Sequence, residues 1–351
     1  MAAFTTIDDS ASKFKTLTYT GNGTGLSITG VGFAPDIGWF KVTSGGDKTA
    51  LWNITTTRNY MLQLSENATV DTAIALVSFD ADGYTLGTRT EVNWSGYSYI
   101  NYSWLADTTT GINTTGSDIT PDGYNFDQDS GVSCIEYTGN GSAGEKVPHG
   151  LGVAPEFMCV KRVTPLDTGT SGWVAYHKNM DTTAPEDYYL VPNTTASRGD
   201  DTIFWNDTAP DAVNFTVGTG TSTNASSETI LAWCFTGKQG YSKFGVYESN
   251  SNADGTFVYL GFRPAFLWCK SIDGTGDWYA FDNQRLGYNV DNNSIATNVS
   301  LAQSTTDRVD LLSNGFKWRT SGALNNGNTC VYMAWAEAPF VNSNGVPGNA
   351  R

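Results

Sequence analysis

The chain has 351 residues, with 35 acidic against 20 basic side chains and a formal net charge of −15 at neutral pH. That sign repels phosphate backbones, which argues against nucleic acid and anionic membrane as partners, and no apolar run is long enough to insert in a bilayer. With 38 glycines and 13% aromatics but no long window of helical spacing, the composition is that of an all-β chain of short strands and tight turns.

The N-terminal segment, 1–12, places acidic residues where a signal peptide has a basic and then an apolar region, so synthesis in the cytoplasm without classical export is expected. A first unit follows over 13–107. It contains the turn-rich YTGNGTG from Tyr19, the run GFAPDIGWFK from Gly32 to Lys41, a strand GYTLG from Gly83, and an aromatic-rich strand ending at Trp104.

Residues 108–131 form a Thr/Gly/Asn-rich connector whose ITPDGYNF turn can add a hairpin to either neighbour. The second unit, 132–237, repeats the landmarks in order: YTGNGSAG from Tyr137, GVAPEFMCVK from Gly152 to Lys161, NFTVG from Asn214, and a closing strand at Phe235. The third, 238–340, has YESNSNADG from Tyr247, GFRPAFLWCK from Gly261 to Lys270, GFKWR from Gly315 and Trp335. A polar tail, 341–351, is expected to be loose unless a neighbouring subunit pins it. The order holds while the spacing drifts, the mark of duplicated units with loop insertions. Each unit is long enough to bury its own modest core.

The proline heading each repeated run fits the first position of a strand, because it has no backbone donor. Lys41, Lys161 and Lys270 end the runs, and each is expected to extend to solvent from a buried stem, the alternative being a shared binding role. From Ser98 to Trp104 the alternation predicts a half-buried strand, with Tyr99, Asn101 and Ser103 opposite Ile100, Tyr102 and Trp104, and Trp104 in the core.

Catalytic chemistry is sparse, and no enzymatic activity is expected. Cys134, Cys159, Cys234, Cys269 and Cys330 lie far apart and predict reduced, buried thiols rather than disulfides or a zinc site. The two histidines, His149 and His177, have no metal-binding spacing, and His149 suits a turn. No cofactor is implied, since nucleophile elbows and phosphate loops are missing.

Polysaccharide cleavage needs two facing carboxylates, for which Asp80, Asp82, Asp122, Asp127, Asp129, Asp273 and Asp277 are candidates. Their Asp-Gly settings are read as turns between strands. Calcium could be held by DADG or DQDSG, though neither continues to the closing glutamate of a full binding loop.

Aromatics offer the better lead, because a planar ring can stack on a sugar. The first unit carries NWSGYSY where the others have NASSET and NNGNT, which selects Trp94 and Tyr97 as binding residues; Trp205, in FWNDT of the second unit, is the next. The opposing reading packs these rings under loops or at contacts between repeats or subunits. Sequons at Asn22, Asn53, Asn67, Asn93, Asn101 and Asn193 follow from an Asn/Ser/Thr-rich composition.

The opening MAAFTTIDDSASKFKTLTYTGNGTGLSITGVGFAPD, the middle EYTGNGSAGEKVPHGLGVAPEFMCVKR, the later GYSKFGVYESNSNADGTFVYLGFRPAF and the end VYMAWAEAPFVNSNGVPGNAR resemble tandem-repeat tail fibre and virion structural proteins of tailed, notably marine, bacteriophages. The resemblance covers nearly the whole chain. It implies three tandem antiparallel β-sandwich domains of lectin-like or jelly-roll-like topology, carried on the virion among other virion proteins and copies of itself, and touching bacterial surface glycan. It supplies no catalytic residues.

The expected role is a tail fibre or fibre-tip component that adheres without catalysis, weak sites gaining from multiplicity. Alternatives are an architectural capsid decoration or tail/fibre adaptor and, against the lack of a long parallel-helix repeat, a depolymerising tailspike. No heptad stalk specifies a trimer.

Overall fold

The computed structural model describes residues 5–46, 49–53, 62–64, 75–163, 172–285, 289 and 293–347. Nearly all regular structure in it is β, in antiparallel sheets none of which closes into a barrel.

The first unit contributes β1 (Phe14–Thr20), β2 (Leu26–Thr29), β3 (Ile37–Val42), β4 (Ala50–Asn53), β5 (Leu62–Gln63), β6 (Leu76–Asp80), β7 (Gly83–Leu86), the one-turn helix α1 (Thr90–Asn93) and β8 (Ser98–Trp104). They pair as one sheet of order β1-β8-β3-β4-β5 and a smaller one, β2-β7-β6. The connector supplies β9 (Pro121–Asp127), which pairs with β10 and so extends the second unit's sheet.

That unit holds β10 (Val132–Thr138), β11 (Glu145–Pro148), β12 (Phe157–Arg162), β13 (Val174–His177), β14 (Tyr188–Tyr189), β15 (Gly199–Asp200), α2 (Thr202–Trp205), β16 (Asn214–Val217), α3 (Thr221–Asn224) and β17 (Thr229–Phe235). Its main sheet runs β13-β12-β17-β10-β9, beside the pairs β11-β16 and β14-β15.

The third unit has β18 (Ser242–Glu248), β19 (Phe257–Tyr259), β20 (Phe262–Ser271), β21 (Tyr279–Asp282), β22 (Ile295–Ala296), β23 (Val309–Leu312), β24 (Gly315–Trp318) and β25 (Thr329–Pro339), in sheets β18-β25-β20-β21-β22 and β19-β24-β23.

The repeated runs become β3, β12 and the central part of β20. Their leading glycines all take left-handed backbone: φ is +89° at Gly32, +74° at Gly152 and +84° at Gly261. Only glycine adopts that conformation without a steric penalty. Pro35 and Pro155 sit just before their strands as expected, whereas Pro264 lies inside β20 at a shift of register, the other place a sheet tolerates proline.

The central strands of the main sheets, β3, β8, β12 and β17 among them, are covered on both faces, which corrects the half-buried expectation for Ser98–Trp104. On β8, Tyr99 stacks on Tyr19 with ring centres 5.0 Å apart, and Ser103 Oγ accepts a hydrogen bond from Tyr84. Trp104, on the opposite face, is core as predicted and packs against Phe14, Phe235 and Trp335. The second covering comes from the other units. One apolar cluster collects Trp39 and Trp104 from the first, Phe157 and Phe235 from the second, and Phe266 and Trp335 from the third.

Separate clusters lie between the two sheets of the first unit (Phe40, Tyr84, Leu86) and of the third (Phe281, Phe316, Trp318). The units therefore share a core as well as burying their own. Burial of each large side chain is worth roughly 2–3 kcal/mol, so the shared cluster makes each unit's stability depend on its neighbours. An apolar cavity of about 40 Å³ remains at its centre.

The three lysines do not reach solvent. Lys41 is 1% exposed and Lys161 and Lys270 are 0%. Lys41 Nζ donates to Val299 O of the third unit at 3.1 Å, and Lys270 Nζ to Thr195 O of the second at 3.3 Å. Lys161 lies 5.5 Å from the centre of the Trp173 ring, whose Nε1 donates to Gln63 O of the first unit at 3.0 Å. First to third, third to second, second to first: these contacts close the units into a ring. Burial pulls Lys161 and Lys270 down to about 8.

The ring is sealed by further contacts. Tyr102 donates to Asp282 at 2.9 Å, and Asp282 is paired with Arg285 at 2.6 Å, all three buried. His177 Nε2 lies 3.3 Å from Tyr332 O while its Nδ1 accepts from Asn179 N, so the ring is neutral with its proton on Nε2. Ile7, ahead of the first unit, joins the shared cluster. The tail is held by this chain, since Ser343 donates from its backbone and side chain to Asp8 of the N-terminal segment; residues 348–351 lie outside the described set.

Candidate functional site

The exposed aromatic turn begins with a buried side chain. Asn93, at the end of α1, is 0% exposed. Its Oδ1 accepts from Asn22 N at 2.7 Å, and its Nδ2 donates to Asn22 Oδ1, Thr24 O and Gly87 O. The same clamp recurs with Asn224 on Asn140, Ser142 and Gly218, and with Asn325 on Asn250, Asn252 and Thr320. Each joins the turn after the first strand of its unit to the turn before the last. Beside it a tyrosine hydroxyl donates to backbone: Tyr19 to Val92 O, Tyr137 to Thr223 O and Tyr247 to Leu324 O.

From this clamp the chain turns through Trp94 to Tyr97. Gly21 N donates to Tyr97 O at 2.8 Å, Gly96 N to Gly21 O at 2.9 Å, and Trp94 N to Tyr99 Oη at 2.7 Å. A Cβ on Gly21 would stand 2.3 Å from Trp94 O, so only glycine permits this approach. The two rings stack with centres 4.3 Å apart and planes 10° from parallel. Gly45 supports Tyr97, since a Cβ there would lie 2.4 Å from the ring. Trp94 is 43% exposed and Tyr97 half-buried, so the outer indole face is the free surface of a supported stack. The corresponding turns carry Ala225 and Glu228 in the second unit and Asn326 and Asn328 in the third.

Trp205 is not part of such a surface. It is 1% exposed, at the end of α2, and meets Tyr176 edge-on at 6.1 Å. That corrects its selection as a binding residue: the FWNDT insertion folds its indole inward, and its ring has no face to offer.

The acidic candidates act as local acceptors. Asp82 takes the backbone N–H groups of Gly30 and Gly32, at 3.0 and 2.6 Å, fixing the first left-handed glycine. Asp80 accepts from Ser78 and Thr85, Asp122 from Thr138, Asp273 from Thr329 N and Asp277 from Asn298. Asp127 pairs with Lys13 at 2.8 Å and accepts from Asp129 N. Asp80, Asp82, Asp129, Asp273 and Asp277 lie in or beside turns, as read from the sequence, whereas Asp122 and Asp127 belong to β9, which corrects the turn reading for those two. Among the described residues no group of three His, Cys, Asp or Glu side chains is placed to hold a metal, and DADG and DQDSG are not an exception.

A different carboxyl is perturbed. Burial raises Asp36 to about 6, although it accepts from Ala106 N and Asn125. It ties the first unit to β9 and is a structural contact. His149 is buried in a turn, its Nδ1 accepting from Leu151 N and its Nε2 lying 3.1 Å from Asp211 O; burial lowers it to about 4. All five cysteines are free and buried, as expected.

Of the sequon residues, Asn93 and Asn101 are 0% exposed, Asn22 is in the clamp and Asn193 is half-buried. Asn67 and the side chain of Asn53 lie outside the described residues. The clamp was readable only as turn composition, because an asparagine that closes a turn and one that decorates it look alike in sequence.

A family described as a domain of unknown function (DUF7483) matches residues 9–339, a span that takes in all three units. No curated protein and no solved structure matches the chain.

Proposed function

For a chain that belongs to the DUF7483 family, we propose a structural protein of a bacteriophage particle, a tail fibre or fibre-tip component that adheres to bacterial surface glycan without catalysis. Its three units are read as β-sandwiches of lectin-like topology, joined in one ring through a shared core. The observation that carries adhesion is the Trp94–Tyr97 stack. An indole held flat by a second ring, on a turn fixed by Gly21 and Asn93, presents an apolar plane at little entropic cost. That plane suits the C–H face of a pyranose. The phage setting rests on the repeated phrases that resemble virion proteins.

Absence of catalysis fits the acidic side chains, which are spent on turns rather than facing one another across a cleft. No helix among the described residues is long and apolar enough to cross a membrane. The reading is tested by incubating purified protein with an array of bacterial lipopolysaccharides and capsular polysaccharides. Binding to a subset, without release of reducing ends, supports it. No binding at high protein concentration leaves only an architectural role, and release of reducing ends makes the protein a depolymerase.

A further inference from the structure

A cleft of about 350 Å³ opens between the second and third units, on the path from β17 to β18. Lys178, Lys238 and Lys243 line it, in a chain whose net charge is −15. The carboxylate lining it is Glu156, already paired with Lys178 at 2.8 Å. Lys243 Nζ donates to Tyr259 O at 2.7 Å and stands 5.6 Å from the centre of the Tyr259 ring. Lys238 lines the turn of the cleft, but its side chain runs toward Gly131 on the other side of β17.

Like charges are therefore gathered here. Burial first and the neighbouring Lys178 second lower the ionisation of Lys243. A ligand oxyanion relieves that repulsion, which is a reason for affinity beyond simple contact. One wall is aromatic: Tyr259, at the end of β19, lines the cleft and is 53% exposed. Strands β18 and β19 are both sheet edges, so the cleft is reached from outside the barrier of paired strands. The corresponding positions in the first unit are Lys15 and Thr29, and in the second Ser133 and Pro148, so the combination of lysine and tyrosine belongs to this junction alone.

We propose that this cleft binds an acidic sugar, its carboxylate or phosphate held by Lys178 and Lys243 and its ring lying on Tyr259. Glu156, paired with Lys178, sets the far edge of the anion site. The surface lies apart from the Trp94–Tyr97 stack and adds charge selection to a protein whose other platform is uncharged.

The full chain is titrated calorimetrically with trigalacturonate, glucose 6-phosphate, neutral maltotriose, inorganic phosphate and hexaglutamate. Expected is binding of at least one of the two acidic sugars with a Kd on the order of 1 mM or tighter, weakened by added salt, with maltotriose at least tenfold weaker at this site. Which of the two binds more tightly assigns the carboxylate or the phosphate. Lys243→Gln and Lys178→Gln each lower affinity about tenfold, whereas Lys238→Gln, whose stem leaves the cleft toward Gly131, leaves it unchanged. Tyr259→Ala weakens sugar binding and spares inorganic phosphate. The variants must melt as the parent does; where a glutamine variant does not, the methionine substitution at the same position takes its place and must show the same loss. Failure of both acidic sugars to bind overturns the proposal. So does hexaglutamate binding as tightly as they do, or inorganic phosphate matching glucose 6-phosphate with Tyr259→Ala silent.

Discussion

Lys41 Nζ donates to the carbonyl of Val299, a hydrogen bond that joins the first unit to the third across most of the chain. With Lys270 on Thr195 and Trp173 on Gln63 it makes the three units one ring rather than beads on a string. Burying an ammonium costs stability unless its partners compensate, and that cost has a pH signature.

Lys161 and Lys270 ionise near 8 in the folded chain, against about 10.4 unfolded. Between those values the unfolded state binds more protons, so the lysines' contribution to stability rises with pH, by about 3 kcal/mol per lysine at most. Above pH 10 the buried tyrosines, pushed well up by burial, act in reverse. The buried thiols Cys159, Cys234, Cys269 and Cys330, pushed up by burial, also act in reverse from about pH 8.5, so the lysine contribution is read as a difference between proteins. The urea midpoint of the parent relative to that of Lys270→Met should rise from pH 8 toward 10; a difference that stays flat contradicts a buried Lys270.

On the acid side, His149 and His177 ionise near 4 and 3, well below an unfolded value of about 6.5. Their contribution is complete above pH 6.5 and is lost as pH falls toward the folded values. Asp36, raised to about 6, opposes them as it takes up its proton in the folded state. Two groups against one leave a net loss of stability from pH 6.5 to 4. His149→Gln should make that limb shallower, measured by denaturant unfolding across the range; an unchanged slope would show that the imidazole is not buried neutral.

The asparagine clamps separate stability from recognition. Asn93→Ala and Asn325→Ala each strip a buried side chain from several backbone partners and should cost about 2–4 kcal/mol. Only Asn93→Ala should also weaken glycan binding, because only its turn carries the stacked rings. Equal loss of binding in both variants, measured on protein still folded, contradicts that division.

The repeat was legible because left-handed glycine, proline and a following strand leave a fixed pattern of residues. So was Trp104 as core, from alternation alone. The ring was not. A strand such as β3, apolar on both faces, announces two coverings, but Trp39 and Phe40 do not say which one comes from another unit. Lysine at the end of that strand has a stem suited to reaching water, and only the position of Val299 shows that it reaches a carbonyl instead. Trp94 and Trp205 present the same difficulty from the other side: both are indoles in polar turns, and backbone geometry alone sends one outward and the other inward. The Lys178 and Lys243 cleft had no sequence signal, since it is assembled from the edges of two units.

The central claim, adhesion through the Trp94 face, is tested most directly by binding isotherms of the parent, Trp94→Ala and Trp205→Ala on the polysaccharide that the array identifies. Trp94→Ala should keep its stability within about 0.5 kcal/mol and lose at least tenfold in affinity. Trp205→Ala should lose roughly 3–5 kcal/mol of stability, with the affinity of the folded fraction unchanged. Parent-like affinity in Trp94→Ala would contradict the account.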